Sequence, residues 1–417
     1  DSQGRMHLPH RCPGIPDTLA GVVMRKLAFW LSLVFVFTIP WETVIESPAL
    51  GSISRIIGLA MAATWLVALI FARHMRKPRV FHAALCAFVA LNAASIFWSA
   101  NPGATTILIL TWFQLLIMAL LFWDLYTTRK AVIAALQMYV LGAYVVLGDT
   151  LANFFIGNAF YHGRFNATGT SPDDTGVILA LALPIAAYLI AFRQSDRFAV
   201  PLKILNSLYI PAAFIGIALS GTRTALVVAV PGVLFLVGLV MRSRFSTQIL
   251  VGLLLIIGTT IVLPRIPAAS IQRLETTRSA MESGNLNGRH RLWREGFASF
   301  LRHPMLGVGA NMFRSINTEH KVAHNSFVSV LVELGLVGLL LFIVTVIIAG
   351  IRIFGQPLWD KWLWICIFVG WILGSLTLTW EYRKTTWLFL NLFVVSAATL
   401  LDHVNVSPAN HRSTRSK

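Results

Sequence analysis

Apolar runs long enough to cross a bilayer, separated by short polar breaks, follow one another through nearly the whole chain. A helix needs about 20 such residues to span the hydrocarbon core. Taking runs and breaks in turn predicts helices at 27–40, 48–72, 80–98, 104–123, 131–154, 176–192, 204–220, 224–241, 247–264, 326–350, 362–379 and 386–401. The expected fold class is therefore an all-α polytopic membrane protein, with about twelve transmembrane helices and a large, partly helical loop between the ninth and the tenth. Residues 1–23 read as a disordered leading segment, 24–264 as helices one to nine, 265–325 as the loop, 326–401 as the last three helices and 402–417 as a tail.

Composition agrees, with 56% hydrophobic and 12% charged residues. The net charge of +17 does not imply nucleic acid, because no basic helix or aromatic-interleaved basic stripe occurs outside the membrane-flanking loops. Cys12, Cys86 and Cys366 are odd in number and lack CxxC spacing, which argues against a disulfide framework or a thiolate metal site.

Orientation follows from the placement of Lys and Arg, which stay on the cytoplasmic side of short loops. With a cytoplasmic amino terminus, the inner loops collect Arg73, Arg76, Lys77 and Arg79, then Arg129 and Lys130, Arg193, Arg197 and Lys203, Arg242 and Arg244, and Arg352 and Lys361. The short outer loops hold Glu42, Glu46, Asp173 and Asp174. The 265–325 loop breaks the bias, with nine Lys or Arg against four Asp or Glu. Cations on the disfavoured side fit either plain solvation and headgroup contact or an anionic, membrane-borne ligand.

Three places carry candidate chemistry. Ser220-Gly221-Thr222-Arg223-Thr224 is a short outer turn that pins Arg223 at the membrane face, where it either snorkels to headgroups or acts on a ligand. In the large loop, Asn287 heads a helix that ends before Pro304 and sets Arg289, Trp293, Phe297 and Phe300 on one apolar face aimed at the membrane. His324 precedes the tenth span, with Asn325 or Ser326 as cap. At about 100° per residue, Gly335 and Gly338 fall below His324, an edge expected to be clamped against a neighbouring helix. Such a histidine either bonds at a helix end or serves as a general base. A zinc reading of His320 and His324 lacks a third ligand and the Glu of H-E-x-x-H.

His324-Asn325, nine residues, then Gly335-Leu336-Val337-Gly338 resembles the H-[NSR]-x9-G-x-x-[GTY] signature of the bacterial O-antigen ligase family. Arg289-x-x-x-Trp293 with His303-Pro304-Met305-Leu306-Gly307-Val308-Gly309 resembles the Arg, Trp and Pro-x-x-G-x-G run of the wider ligase and polymerase superfamily. Gly221-Thr222-Arg223 is similar to its Ser-Arg turn, and Gly169-Thr170-Ser171-Pro172-Asp173 to its Gly-Thr, Pro-Asn segment, with Asp173 where Asn is common. The resemblance implies a fold like the C-type glycosyltransferases and a site at the periplasmic face of the bacterial inner membrane. It also implies inverting, metal-independent transfer of a glycan from undecaprenyl pyrophosphate to a lipid A core sugar, with no cofactor. His324 would then be the catalytic base, and Arg223 and Arg289 the pyrophosphate ligands. Arg164, Arg291 and Asn325 stand as supporting candidates.

A polymerase of O-antigen or exopolysaccharide would use the same donor with a lipid-linked acceptor, and the shared motifs do not separate the two. A protein O-glycosyltransferase of the superfamily usually carries a further soluble portion. A transporter would need charges along its spans, and only Arg55, Asp149 and Glu333 lie in spans or near their ends.

Overall fold

The computed structural model describes residues 19–47, 51–160, 163–192, 198–245, 248, 260 and 289–406. Among them the chain is helical throughout, apart from one two-stranded hairpin, Glu46–Ser47 paired antiparallel with Gly51–Ser52. The helices are α1 (Leu19–Thr38), α2 (Ile53–Ala72), α3 (Val80–Ala94), α4 (Pro102–Leu125), α5 (Arg129–Ile156), α6 (Pro172–Phe192), α7 (Ala199–Ser220), α8 (Arg223–Val240), α9 (Arg289–Arg302), α10 (Phe313–Ile316), α11 (Ser326–Phe354), α12 (Leu358–Ser375) and α13 (Lys384–Val406). Ten are long and apolar enough to cross a membrane, and α13 is apolar over the shorter stretch Lys384–Leu400.

Every helix expected from the apolar runs is present except 247–264, which apart from residues 248 and 260 lies outside the described residues, as do 1–18, 265–288 and 407–417. The first begins earlier than its apolar run, at Leu19, so residues 19–23 are helical rather than disordered. Arg25 anchors this extension through an ion pair with Asp124 (3.3 Å) and a hydrogen bond to the His74 carbonyl (2.6 Å). Side-chain caps set other starts. Asn101 accepts from the Ala104 N–H ahead of Pro102, and Thr128 accepts from the Ala131 N–H.

The central post is α6, buried along most of its length, and its sequence is correspondingly apolar on every side. Because successive spans alternate in direction, one end of the bundle gathers the 39–45 loop, the starts of α6 and α8, the 289–325 segment and the α12–α13 connection. The basic residues Arg73, Arg76, Lys77, Arg79, Arg129 and Lys130 lie at the opposite end.

The glycines of α11 do something other than clamp a neighbouring helix. Gly335 is not helical (φ 66°, ψ −165°), so α11 breaks there, and counting by helical turns from His324 fails. The freed backbone is bonded by the 304–309 segment. Val308 and Gly309 N–H groups donate to the Val332 and Glu333 carbonyls (3.2 and 2.8 Å), while Leu336 and Val337 N–H groups donate to the Pro304 and Met305 carbonyls (2.9 and 3.2 Å). Irregular backbone at membrane depth survives only when protein satisfies it in this way. The two chains cross so closely that a Cβ on Gly335 would lie 2.3 Å from the Met305 carbonyl, and one on Gly307 2.4 Å from the Glu333 carbonyl. The H-N-x9-G and P-x-x-G motifs are thus two halves of one contact.

Candidate active site

The site is built from the loop before α6. The Phe165 N–H donates to the Leu219 carbonyl (3.0 Å), and Arg164 donates from Nε to the Ser220 carbonyl (2.8 Å). That stitches the loop to the tight 220–222 turn, with Gly221 in the left-handed conformation at the end of α7. Arg164 also reaches Asp173 Oδ1 with Nη2 (2.8 Å), and the Thr222 hydroxyl donates to the same oxygen. Asp173 and Asp174 form the first turn of α6, where a helix favours negative charge. Asp174 turns the other way. It accepts from Trp380 Nε1 (2.7 Å) and lies 3.8 Å from Arg383 Nη2.

Toward these carboxylates come two side chains from the 289–325 segment. Helix α9 is held by its Leu292, Gly296 and Ser299 side, with Gly296 close against Phe313 and Val332. Trp293 donates from its indole to the Ala323 carbonyl (2.8 Å), tying α9 to the residue before His324. His324 has a left-handed backbone (φ 49°) and sits before Asn325, the cap of α11. Its N–H is fixed on Thr379 Oγ1 (3.0 Å). Burial, and after it the Arg289 guanidinium, holds the His324 imidazole below its ordinary range, against the opposing pull of Asp173 and Asp174. Burial likewise lowers Arg289, with Asp173 opposing. Arg289, His324 and the two aspartates therefore share one electrostatic neighbourhood. Among the described residues neither the Arg289 guanidinium nor the His324 imidazole has a hydrogen-bond partner. A half-buried cation and a neutral base without partners can take an anionic leaving group and a hydroxyl.

The remaining candidates separate clearly. Arg223 opens α8, half-buried, next to the Thr222 that bonds Asp173. Arg164 is buried and orients Asp173. Asn325 is a cap: its Oδ1 accepts from the Phe327 and Val328 N–H groups (2.9 and 3.0 Å) and its Nδ2 donates to the Leu376 carbonyl (3.1 Å). Arg291 is exposed and paired with Glu295 one turn along (3.2 Å). The face expected for α9 is corrected in one respect. Arg289 lies in the field of Asp173, and Phe297 is 42% exposed, because Leu292 and Gly296 make the inner side. His320 is exposed and bonds the Arg314 carbonyl (3.1 Å), and no three His, Cys, Asp or Glu side chains converge as metal ligands among the described residues.

Sequence reasoning overlooked the α12–α13 connection. Lys384 pairs with Glu42 and bonds Ser54 Oγ (2.9 Å), while Arg383 bridges toward both Glu42 (4.0 Å) and Asp174. Burial alone would raise the Glu42 carboxyl, but Lys384 and Arg383 outweigh it and keep it below its ordinary range. Behind them, burial pushes the Glu381 carboxyl up to about 8, with Glu333 adding to it and Ser329 opposing. The signal was present in Arg383 and Lys384, two cations in a short loop on the side otherwise poor in them.

Residues 208–343 match a family model described as O-antigen ligase, a segment that runs from α7 into α11 and contains Arg223, Arg289, His324, Gly335 and Gly338. The likeness read from the motifs is shown over that stretch. Among curated proteins none matches the chain.

Proposed function

We propose, taking the O-antigen ligase likeness of the segment that carries Arg223, Arg289 and His324 as premise, that the chain is a multi-pass glycosyltransferase of the bacterial inner membrane. It transfers a glycan from undecaprenyl pyrophosphate to a sugar hydroxyl of the lipid A core at the periplasmic face. Helices α1–α8 and α11–α13 supply the bundle, 265–325 the outer loop that carries Arg289 and His324, and the residues after α13 a cytoplasmic tail. The clustering of basic loops at the end opposite the site supports this orientation.

The observation that carries the reading is that Arg289 and His324, half-buried and with no side-chain hydrogen bond among the described residues, lie in the field of one carboxylate, Asp173, and of each other. In the reaction the acceptor oxygen attacks the anomeric carbon from the face opposite the pyrophosphate. The carbon–oxygen bond to the pyrophosphate breaks with its electron pair leaving on the phosphate oxygen, and the hydroxyl proton passes to His324. Arg289 and Arg223 hold the growing negative charge through guanidinium forks, a task that elsewhere falls to a divalent cation. Inversion follows from the single displacement. Asp173 acts on both partners by its charge: it steadies Arg289 and moderates the lowering of the His324 imidazole.

The lipopolysaccharide ladder of a deletion strain tests the reading. Loss of long chains on lipid A with build-up of lipid-linked polymer is the expected outcome. Single repeats that fail to extend would show a polymerase instead.

A further inference from the structure

Along α11 beyond its break, Leu336, Leu340, Val344, Ile347, Ile351 and Phe354 are exposed and recur every three or four residues. They form one apolar stripe facing lipid. From Leu336 to Phe354 the helix rises about 27 Å at ~1.5 Å per residue, close to the roughly 30 Å of a hydrocarbon core. The break at Gly335 therefore marks the edge of that core at the site end. Bonded across the break is the 304–309 segment, whose Pro304 and Met305 carbonyls accept from the Leu336 and Val337 N–H groups, so the exposed Met305 and Leu306 lie at the same level. Trp98, at the site end of α3 and next to the exposed Phe97, donates from Nε1 to the Leu306 carbonyl (3.2 Å). An indole is at home at such a boundary.

The stripe leads on to α9, whose three sides differ. Leu292, Gly296 and Ser299 face the bundle. Arg291, Glu295, Ala298 and Arg302 make a polar flank, on which Arg291 pairs with Glu295 and Glu295 accepts from the Thr318 N–H (2.7 Å). On the remaining flank Phe297 and Leu301 stand one turn apart, and Leu301, 75% exposed, comes four residues before Met305, which is 58% exposed. Large apolar side chains exposed on a loop helix beside the edge of the hydrocarbon core gain by leaving water. We propose that this flank of α9, together with Met305 and Leu306, is a membrane-docking surface, seated where the headgroups of the leaflet at the site end meet the acyl chains. Its partner is phospholipid. Charge agrees, because the exposed Arg294 lies on the same flank one turn before Phe297, and from there its guanidinium reaches a lipid phosphate. The polar flank is left to water. The docking follows from geometry alone and is independent of the reaction assigned above.

The test uses the full-length protein in vesicles of phosphatidylethanolamine and phosphatidylglycerol. With Leu301 replaced by p-benzoylphenylalanine in an otherwise unaltered chain, irradiation should join the protein to phospholipid, read as added mass. The same probe at Leu340 in the α11 stripe should do so too, and at Ala298 on the polar flank it should give far less. A second measurement uses the chain with its three native cysteines changed to Ser. An environment-sensitive fluorophore on Leu301→Cys should emit to the blue of one on Ala298→Cys, and should lose intensity when the vesicles carry phospholipid nitroxide-labelled near the headgroup. Equal emission from the two positions, or no lipid adduct at 301 while 340 gives one, overturns the docking. So does an adduct at 301 with another stretch of this chain or with a second copy, which would show that protein covers the flank.

Discussion

Both ends of the bundle hold buried carboxylates, and the difference between them separates architecture from chemistry. At the end away from the site, Asp360 accepts from Arg129 Nη2 (2.9 Å) and from the Tyr188 hydroxyl. Asp124 accepts from Trp65 Nε1 (2.9 Å) and the Arg76 N–H (2.8 Å) and pairs with Arg25 (3.3 Å). Each acid is saturated by groups from different helices, so its charge serves to tie helices together. At the site end Asp173 is saturated in the same manner by Arg164 and Thr222, yet Arg289 and His324 are brought into its field with no side-chain hydrogen bond of their own among the described residues. Saturated pairs hold the frame. Cations and bases in excess of them mark where a ligand goes.

The largest effects should come from the unsaturated end. Arg289→Ala should abolish transfer while the protein stays folded, and Lys should rescue only partly because it lacks the guanidinium fork. Asp360→Asn is the counterpart at the saturated end. It should lower the thermal midpoint, at a cost of about 1–3 kcal/mol for weakening a hydrogen-bonded ion pair, and leave transfer per folded molecule unchanged. Reversed results, with Arg289→Ala active and Asp360→Asn folded but inactive, would dissolve the distinction between the two ends.

His324→Gln sharpens the comparison within the site. The amide keeps a hydrogen bond but takes no proton, so kcat should fall by a factor of roughly 10² to 10⁴ with donor binding intact. Wild-type turnover in that variant would leave His324 a positioning group only.

The smallest effect is a shift in pH profile. Because His324 is held below its ordinary value near 6.5, the base stays neutral at pH 7 and transfer should decline only as pH drops below that ordinary value. Lys321 adds a minor lowering influence from an exposed position. Lys321→Ala should therefore move the acid limb upward, and only slightly, because solvent screens an exposed charge. A downward move would contradict the sign of that interaction. The same sign governs stability. Below about pH 6.5 the unfolded chain binds the proton more readily than the folded one, so His324 contributes less stability as pH falls.

What could be read directly from the sequence were properties that each stretch carries alone. An apolar run of about 20 residues becomes a span wherever it sits, because lipid asks only for length and hydrophobicity. Asn101, Thr128 and Asn325 cap the helices that follow them through bonds two or three residues away. The asymmetry of Lys and Arg is likewise a sum over single residues, and it pointed to the 265–325 loop. The functional motifs were legible too, as residue types in order, but their geometry was not. Helical counting placed Gly335 and Gly338 under His324, whereas Gly335 breaks the helix because the 304–309 segment crosses there at a distance that admits no Cβ. That crossing joins parts of the chain whose sequences give no sign of touching. Arg289 turning to Asp173, and Arg383 standing between Glu42 and Asp174, depend in the same way on which spans pack side by side. Burial and charge pairing across the bundle are pairwise properties of distant residues, and they acquire values only once packing has set the distances.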